Sequence, residues 1–241
     1  MKLTERLLCI ANNIEPFESI CDIGTDHGYL PIYLKELNPN RNVVLSDVSK
    51  GSLNKAIVNC HKLSDYDYDF REGNGLEVLK EKEVDTIIIA GMGGLLISQI
   101  LGKDINKSHS FKKLILQPRN HVGELRYYLS QNNFTVKKEE LVKEGRFICE
   151  ILVVSNEVPK IDFEDMKRPF DAIEWEVPKT LLNLKSDLLE DYLERKINRE
   201  KRILLNIKES NNISKDKIDI TKHNIEYLNN LLNNYETKRD N

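Results

Sequence analysis

Residues Cys21 to Pro31 read C-D-I-G-T-D-H-G-Y-L-P, and this stretch decides the fold. An apolar run begins at Ile20, and Tyr29, Leu30, Ile32, Tyr33, Leu34 and Leu37 follow at helix-like spacing, so the glycines fall where a buried strand turns into a helix. Gly24 and Gly28 allow backbone angles or close contacts that a Cβ forbids. Beyond them the helix N-terminus offers unpaired N–H groups to a polar ligand. Asp22 places a negative charge at the strand's end, and an acidic loop suits a cationic or amine-bearing ligand better than a pyrophosphate. Taken alone, the loop reads equally well as a β–α turn whose glycines serve only geometry.

The flanking segments tilt that balance. Ahead of the loop, Leu3, Leu7, Leu8, Ile10 and Ala11 make a helical stripe that Thr4 can cap, with Arg6 off the stripe. After it, Asn42 to Asp47 is a second buried strand ending in a carboxylate. Asp47 lies about 20 residues beyond the first loop, where doubly wound nucleotide-binding folds set an acid against ribose hydroxyls. Lys50 to Leu63 is an amphipathic helix, and Tyr68 to Glu72 a weaker strand followed by G-N-G-L. There Asn74 can bond an adenine edge or serve as an ordinary turn residue. Val84 to Ala90 is the most apolar segment, running into Gly91-Met92-Gly93-Gly94 and a helix from Leu95 to Leu101, so strand four is central.

Neither glycine site completes G-x-G-x-x-G, because Asp26 and Leu96 stand at glycine positions, and this disfavours nicotinamide or flavin. Lys113 to Pro118 is a fifth strand. Arg119 to Val122 (R-N-H-V) opens a helix over Glu124 to Gln131, and Gln117, Asn120 and His121 gather polar groups at the same sheet edge as the first loop. Phe134 to Leu141 and Phe147 to Val154 form an antiparallel pair joined by V-K-E-G. Strands alternating with helices five times, then a closing pair, predict an α/β fold with a seven-stranded doubly wound sheet whose last strand is antiparallel. That pattern is similar to the class I methyltransferase (Rossmann-like) domain, and S-adenosylmethionine, with its sulfonium and ammonium, suits the acidic loop.

Composition bounds the rest. A chain of 241 residues suffices for one α/β domain and an appendage, and 31% charged residues describe a well-solvated surface. No apolar run approaches the ~20 residues that span a bilayer, and the N-terminus lacks a signal-peptide pattern, so a cytoplasmic protein without a membrane partner is expected. Cys9, Cys21, Cys60 and Cys149 form no C-x-x-C pair and no metal spacing, predicting free thiols, no disulfide and no metal. The formal net charge of −3 gives no global reason for nucleic-acid binding, so any RNA must be held by local patches.

Three segments are expected: a catalytic domain over 1–157, a linker over 158–178 with Pro159, Pro169, Pro178 and Trp175, and a helical hairpin over 179–241. In the last, Leu181, Leu184, Leu188, Tyr192, Ile197, Leu204 and Ile207 make one stripe and Ile218, Ile225, Leu228, Leu232 and Tyr235 another, predicting an antiparallel coiled-coil hairpin with a turn at Ser210 to Ser214. Arg195, Lys196, Arg199, Lys201 and Arg202 are five basic residues within eight. They read as a salt-bridged helix face or as an RNA-contacting one.

With these pieces placed, the chain resembles the bacterial tRNA (adenine-22 N1)-methyltransferase family. The resemblance rests on L-T-E-R-L at Leu3 to Leu7, D-I-G-T-D-H-G-Y-L-P at Asp22 to Pro31, G-N-G-L-E at Gly73 to Glu77, I-A-G-M-G-G at Ile89 to Gly94, and L-I-L-Q-P with His121. Asn74 and Arg119 depart from the family's pattern. The resemblance implies S-adenosyl-L-methionine as cofactor, tRNA as partner, and methyl transfer to adenine N1. No N/D-P-P-Y/F/W tetrapeptide follows strand four, where Ala90 to Gly93 stand, and this favours a ring nitrogen over the exocyclic amine.

The expected cofactor residues are Asp22, Gly24, Thr25, His27, Gly28, Tyr29, Asp47, Val48, Asn74, Gly75, Ala90, Gly91 and Met92. Asp26 is the expected catalytic carboxylate. Arg6, Gln117, Arg119, Asn120, His121 and Arg126 are expected to meet RNA around the crevice, and Arg195, Lys196, Arg199 and Arg202 on the tail. A small-molecule methyltransferase and a non-catalytic nucleotide-binding adaptor on the same fold are the rival readings.

Overall fold

Seven strands form one sheet: β1 (Ile20–Ile23), β2 (Val43–Asp47), β3 (Asp69–Glu72), β4 (Thr86–Met92), β5 (Lys113–Pro118), β6 (Thr135–Glu144) and β7 (Phe147–Ser155). Their spatial order is β3-β2-β1-β4-β5-β7-β6. The first five run parallel, and β7 inserts antiparallel between β5 and β6. The order reverses between β1 and β4, so the connections leaving those two strands diverge and open a crevice at their carboxyl ends. The computed structural model describes residues 1–157, 168–184, 186–209 and 214–239. Most of the expected linker, 158–167, and the turn residues 210–213 lie outside that set.

Residue contacts divide the chain into Met1–Phe170 and Asp171–Asn241. In the first unit the continuous apolar runs are buried on both faces of the sheet, as a parallel sheet sandwiched by helices requires. Ile87 and Ile89 of β4 pack with α4 (Gly94–Gly102) and α6 (Val122–Gln131) through Ile97, Leu101, Leu125 and Leu129. Ile88 faces the other way, toward α1 (Glu5–Ala11), α2 (Tyr29–Leu37) and α3 (Lys50–Leu63), with Ile10, Ile32 and Ala56. All three isoleucines are fully buried, and truncating any one to Ala costs about 2–5 kcal/mol. Thr4 caps α1 by accepting the Leu7 N–H, and Ser49 caps α3 by accepting the Ser52 N–H.

Two local features differ from the sequence pattern. A short helix α5 (Ile105–Ser110), capped by Asp104, follows α4 where no apolar period announces it. Strand β6 continues to Glu144, because Glu144 pairs with Phe147 and leaves only Gly145 and Arg146 in the turn. Gly145 takes φ 60°, the left-handed conformation that a two-residue hairpin loop needs.

In the second unit, α7 (Ile173–Glu176) and a 3₁₀ turn (Lys179–Asn183) precede α8 (Leu189–Glu209) and α9 (Lys215–Arg239). Residues 171–178, expected as linker, belong here: Ile173, Trp175 and Val177 are buried, and the Tyr227 hydroxyl donates to the Val177 carbonyl at 2.9 Å. Asn224 Nδ2 donates to Glu200 at 3.0 Å, and Arg239 pairs with Glu190. Partners that rise along one helix fall along the other, so α8 and α9 are antiparallel. Leu189, Tyr192, Leu193 and Ile197 of α8 and Leu228 and Leu231 of α9 are buried.

Candidate active site

Four loops meet at the carboxyl ends of β1 to β4, tied together by the backbone. The Gly24 and Thr25 N–H groups donate to the Ser46 carbonyl at 2.8 and 3.1 Å, and the Gly73 N–H donates to the Asp47 carbonyl at 3.1 Å. Gly24 adopts φ 77°, and a Cβ there would lie 2.3 Å from Met92 Cε, so the end of β4 closes directly on the first loop. Asp47 is 8% exposed; its Oδ1 accepts the Ser49 N–H at 2.8 Å and its Oδ2 the Asp26 N–H at 3.4 Å. Val48 beside it is exposed, and Asn74 lines a recess of about 150 Å³ with Leu76, Leu96, Gln99 and Ile100. Burial pushes the Asp22 carboxyl up to about 6, with the charge of Arg6 opposing and that of Asp47 adding.

The ends of β4 and β5 are organised by one amide. Gln117 Oε1 accepts the Gly91 N–H at 3.1 Å and Arg6 Nη1 at 3.2 Å, while its Nε2 donates to the Pro118 carbonyl at 2.9 Å. Arg6 Nε in turn donates to Glu144 at 2.7 Å. Gln117 is 2% exposed, so its expected contact with RNA gives way to a role inside the protein. The Arg119 N–H donates to the Met92 carbonyl at 2.8 Å, and its exposed guanidinium lies over Gly91, within 3.5 Å of where a Cβ would stand. The Asn120 carbonyl accepts the Gly94 N–H at 2.9 Å. His121, at φ 53°, begins α6, and its Nδ1 is 2.9 Å from Glu124.

Other expected residues are placed elsewhere. Asp26, at φ 46°, turns its carboxylate toward Lys55 of α3 at 3.3 Å and His27 at 3.5 Å, and only its N–H reaches toward Asp47. His27 and Tyr29 stack on each other at 5.3 Å, and the His27 carbonyl accepts Asn59 of α3. Gly28 packs against Leu45 and Ala56, serving helix–sheet contact. Arg126 is a correction: its guanidinium is buried between Glu139 at 2.7 Å and Glu150 at 2.6 Å, where no RNA reaches it.

Glu144, which anchors Arg6, is not among the expected residues. The available signal was the hairpin K-E-G-R, whose return strand brings its tip to the crevice edge. Among the described residues no group of three or more His, Cys, Asp or Glu could hold a metal, and the four cysteines stand unpaired. Nor is any described helix long and apolar enough to cross a membrane.

The sheet order, with a glycine-lined crevice between an acidic first loop and the carboxylate of β2, defines a class I methyltransferase fold. Residues 20–230 match the model of the tRNA (adenine(22)-N(1))-methyltransferase family, TrmK, and the chain belongs to that family. It is 33% identical over 160 residues to the tRNA (adenine(22)-N(1))-methyltransferase of Bacillus subtilis, an alignment spanning 64% of this chain and 65%, less than two thirds, of that protein. Two solved structures are similar along nearly the whole chain. A Mycoplasma capricolum TrmK in complex with S-adenosyl-homocysteine has TM-score 0.78 and 27% identity over 97% of this chain and 99% of that one. A Streptococcus pneumoniae protein in complex with S-adenosyl-L-methionine has TM-score 0.80 and 26% identity over 96% and 100%.

Proposed function

We propose that this protein transfers a methyl group from S-adenosyl-L-methionine to N1 of adenine 22 in tRNA, acting in the cytoplasm. The observation that carries the proposal is the family match over 20–230 joined to a crevice whose groups fit the cofactor. That fit is chemical. A buried carboxylate at Asp22, already raised toward neutrality, gains by receiving a cationic amine, and Asp47 is a nearly buried acceptor held in place by the Ser49 N–H. The cofactor supplies an electrophilic methyl on a sulfonium. Asp22 would receive the ammonium, Asp47 the ribose hydroxyls, and Asn74 the adenine edge, with Val48 and Met92 as apolar walls. Gly24 and Gly91, without a Cβ, would leave room for the cofactor beside their backbone.

Adenine N1 carries an in-plane lone pair, so the protein's task is to orient it and no base is needed to start. Arg119, over Gly91, and Asn120 are assigned to holding the target nucleotide, and Arg6 through Gln117 fixes the Gly91 peptide. The methylated base is a cation, and the N6 proton it can shed passes to solvent water. Asp26, already paired with Lys55, is assigned to ordering Asp47 and not to accepting that proton.

The test is methylation of unmodified bulk tRNA with labelled cofactor, followed by mapping of the modified nucleotide. Label in 1-methyladenosine at position 22 is expected. Label in small molecules without RNA, or cofactor binding with no transfer to either, overturns the proposal in favour of the small-molecule enzyme or the adaptor.

A further inference from the structure

Arg146 in the two-residue turn between β6 and β7, and Phe147 at the start of β7, are not used by the site described above. Phe147 is 61% exposed, and the Arg146 guanidinium lies over its ring at 5.0 Å. Exposed phenylalanines are common enough that exposure alone says little. Phe17, at 90%, is more exposed, but it precedes the amino end of β1, at the far end of the sheet from the crevice.

Register sets Phe147 apart. Leu116 of β5 pairs with Leu152 of antiparallel β7, so Pro118, the last residue of β5, lies level with Glu150. Phe147 to Cys149 therefore run three residues, about 10 Å, past the end of β5 and over the crevice side of the sheet. The alternation agrees on the face. Ile151 and Cys149 pack with Ile10 on the α1 side, which places Phe147 on that side too, the side of Arg6. Cys149 lies within electrostatic reach of Glu144, Arg6 and Arg119. Arg6 holds the root of the tip through Glu144, and Lys143 and Arg146 are exposed there.

We propose that Phe147, backed by Arg146, is a stacking platform for an unpaired base of the tRNA beside the adenine held in the crevice; this rests on the function proposed above. The chemistry asks for such a platform. N1 lies on the Watson–Crick edge, so the target must leave its pair and its stack, and the neighbouring base loses a partner. An aromatic face with an arginine behind it is what single-stranded RNA stacks on, and any base satisfies it. One face of the Phe147 ring is covered by Arg146, and a base takes the other. Lys143 and Arg119 supply the adjacent phosphates with positive charge that the chain as a whole, at −3, does not.

The test compares wild type, Phe147→Ala, Phe147→Trp and Arg146→Gln, measuring tRNA affinity by gel shift, kcat and KM for tRNA, cofactor affinity by calorimetry and thermal unfolding. Phe147→Ala is expected to raise the tRNA Kd and KM roughly 5- to 150-fold, with cofactor affinity and unfolding unchanged. Phe147→Trp restores both, and Arg146→Gln gives a smaller loss. Unchanged tRNA affinity and KM in Phe147→Ala, or a Trp variant as weak as Ala, overturns the platform while leaving the function standing. A wild-type protein that binds cofactor and methylates no tRNA overturns the function, and the platform with it.

Discussion

The side-chain oxygen of Gln117 accepts the backbone N–H of Gly91 at 3.1 Å, joining the carboxyl end of β5 to the glycine at the end of β4. The same oxygen accepts Arg6 from the N-terminal helix, so three distant segments converge on one buried atom. Gln117→Met keeps the volume and removes the acceptor. It leaves the Gly91 N–H and Arg6 without that partner, a cost of about 1–3 kcal/mol. Thermal unfolding is expected to fall by roughly 2–12 °C, and cofactor affinity to weaken with the loss of a fixed Gly91 peptide. A variant with wild-type affinity separates Gln117 from the cofactor site.

Asp47 is held from both sides, by the Ser49 and Asp26 N–H groups, with its carboxylate nearly buried at the end of β2. A hydrogen bond to a charged group contributes about 1.5–3 kcal/mol, so Asp47→Ala should weaken cofactor binding roughly 10- to 100-fold by calorimetry. Full affinity with an intact fold removes Asp47 from the ribose site.

Asp22 predicts a pH dependence of definite sign. Its carboxyl is raised from 3.8 to about 6 in the folded protein, chiefly by burial. The stability it contributes is fully present below pH 3.8 and is lost as pH rises to about 6, a change of roughly 3 kcal/mol. A bound ammonium favours the charged form and lowers this value, so cofactor affinity should rise from pH 5 to pH 7 and then level. Asp22→Asn should flatten that profile in calorimetry across the range. A slope that survives in the variant assigns it to another group.

At Gly94 an added Cβ would come within 2.2 Å of the His121 carbonyl oxygen, a backbone atom that cannot turn aside. Gly94→Ala should therefore cost about 3 kcal/mol, the upper end for an added methyl, and displace the Asn120 carbonyl from the Gly94 N–H. Denaturant unfolding reads this directly, and a loss under 1 kcal/mol means the R-N-H-V turn yields easily.

The basic run on α8 divides in two. Arg195 is bonded to Asp191 at 2.7 Å, and Lys196 is paired with Glu176. Arg199 is 3.6 Å from Glu176 and still largely exposed, and Lys201 and Arg202 are exposed as well. Changing Arg199, Lys201 and Arg202 to Gln should reduce the salt slope of tRNA binding by about 0.7–0.9 log units per lost phosphate contact. Changing Arg195 and Lys196 should alter it less. Equal slopes in both variants and the wild type make the whole run a solvated helix face.

The sequence alone determined the order of the seven strands and of the helices that flank them apart from α5, the burial of β4, and the placement of Gly24, Asp47, Asn74 and Gly91 at one edge. Each of these depends on local periodicity and on the rule that parallel strands end together. It did not determine which polar side chains face the crevice. Gln117 and Arg126 read as surface donors, yet one is turned inward onto Gly91 and the other lies between Glu139 and Glu150. Those orientations depend on partners 13 to 111 residues away, and no short-range pattern encodes them. Asp26 likewise faces Lys55, 29 residues on, because the left-handed turn at its own backbone swings the side chain toward α3. The tip at Phe147 was legible as a hairpin. Only the pairing of Leu116 with Leu152 decided that it projects at the crevice end of the sheet, since strand register is set by the whole sheet.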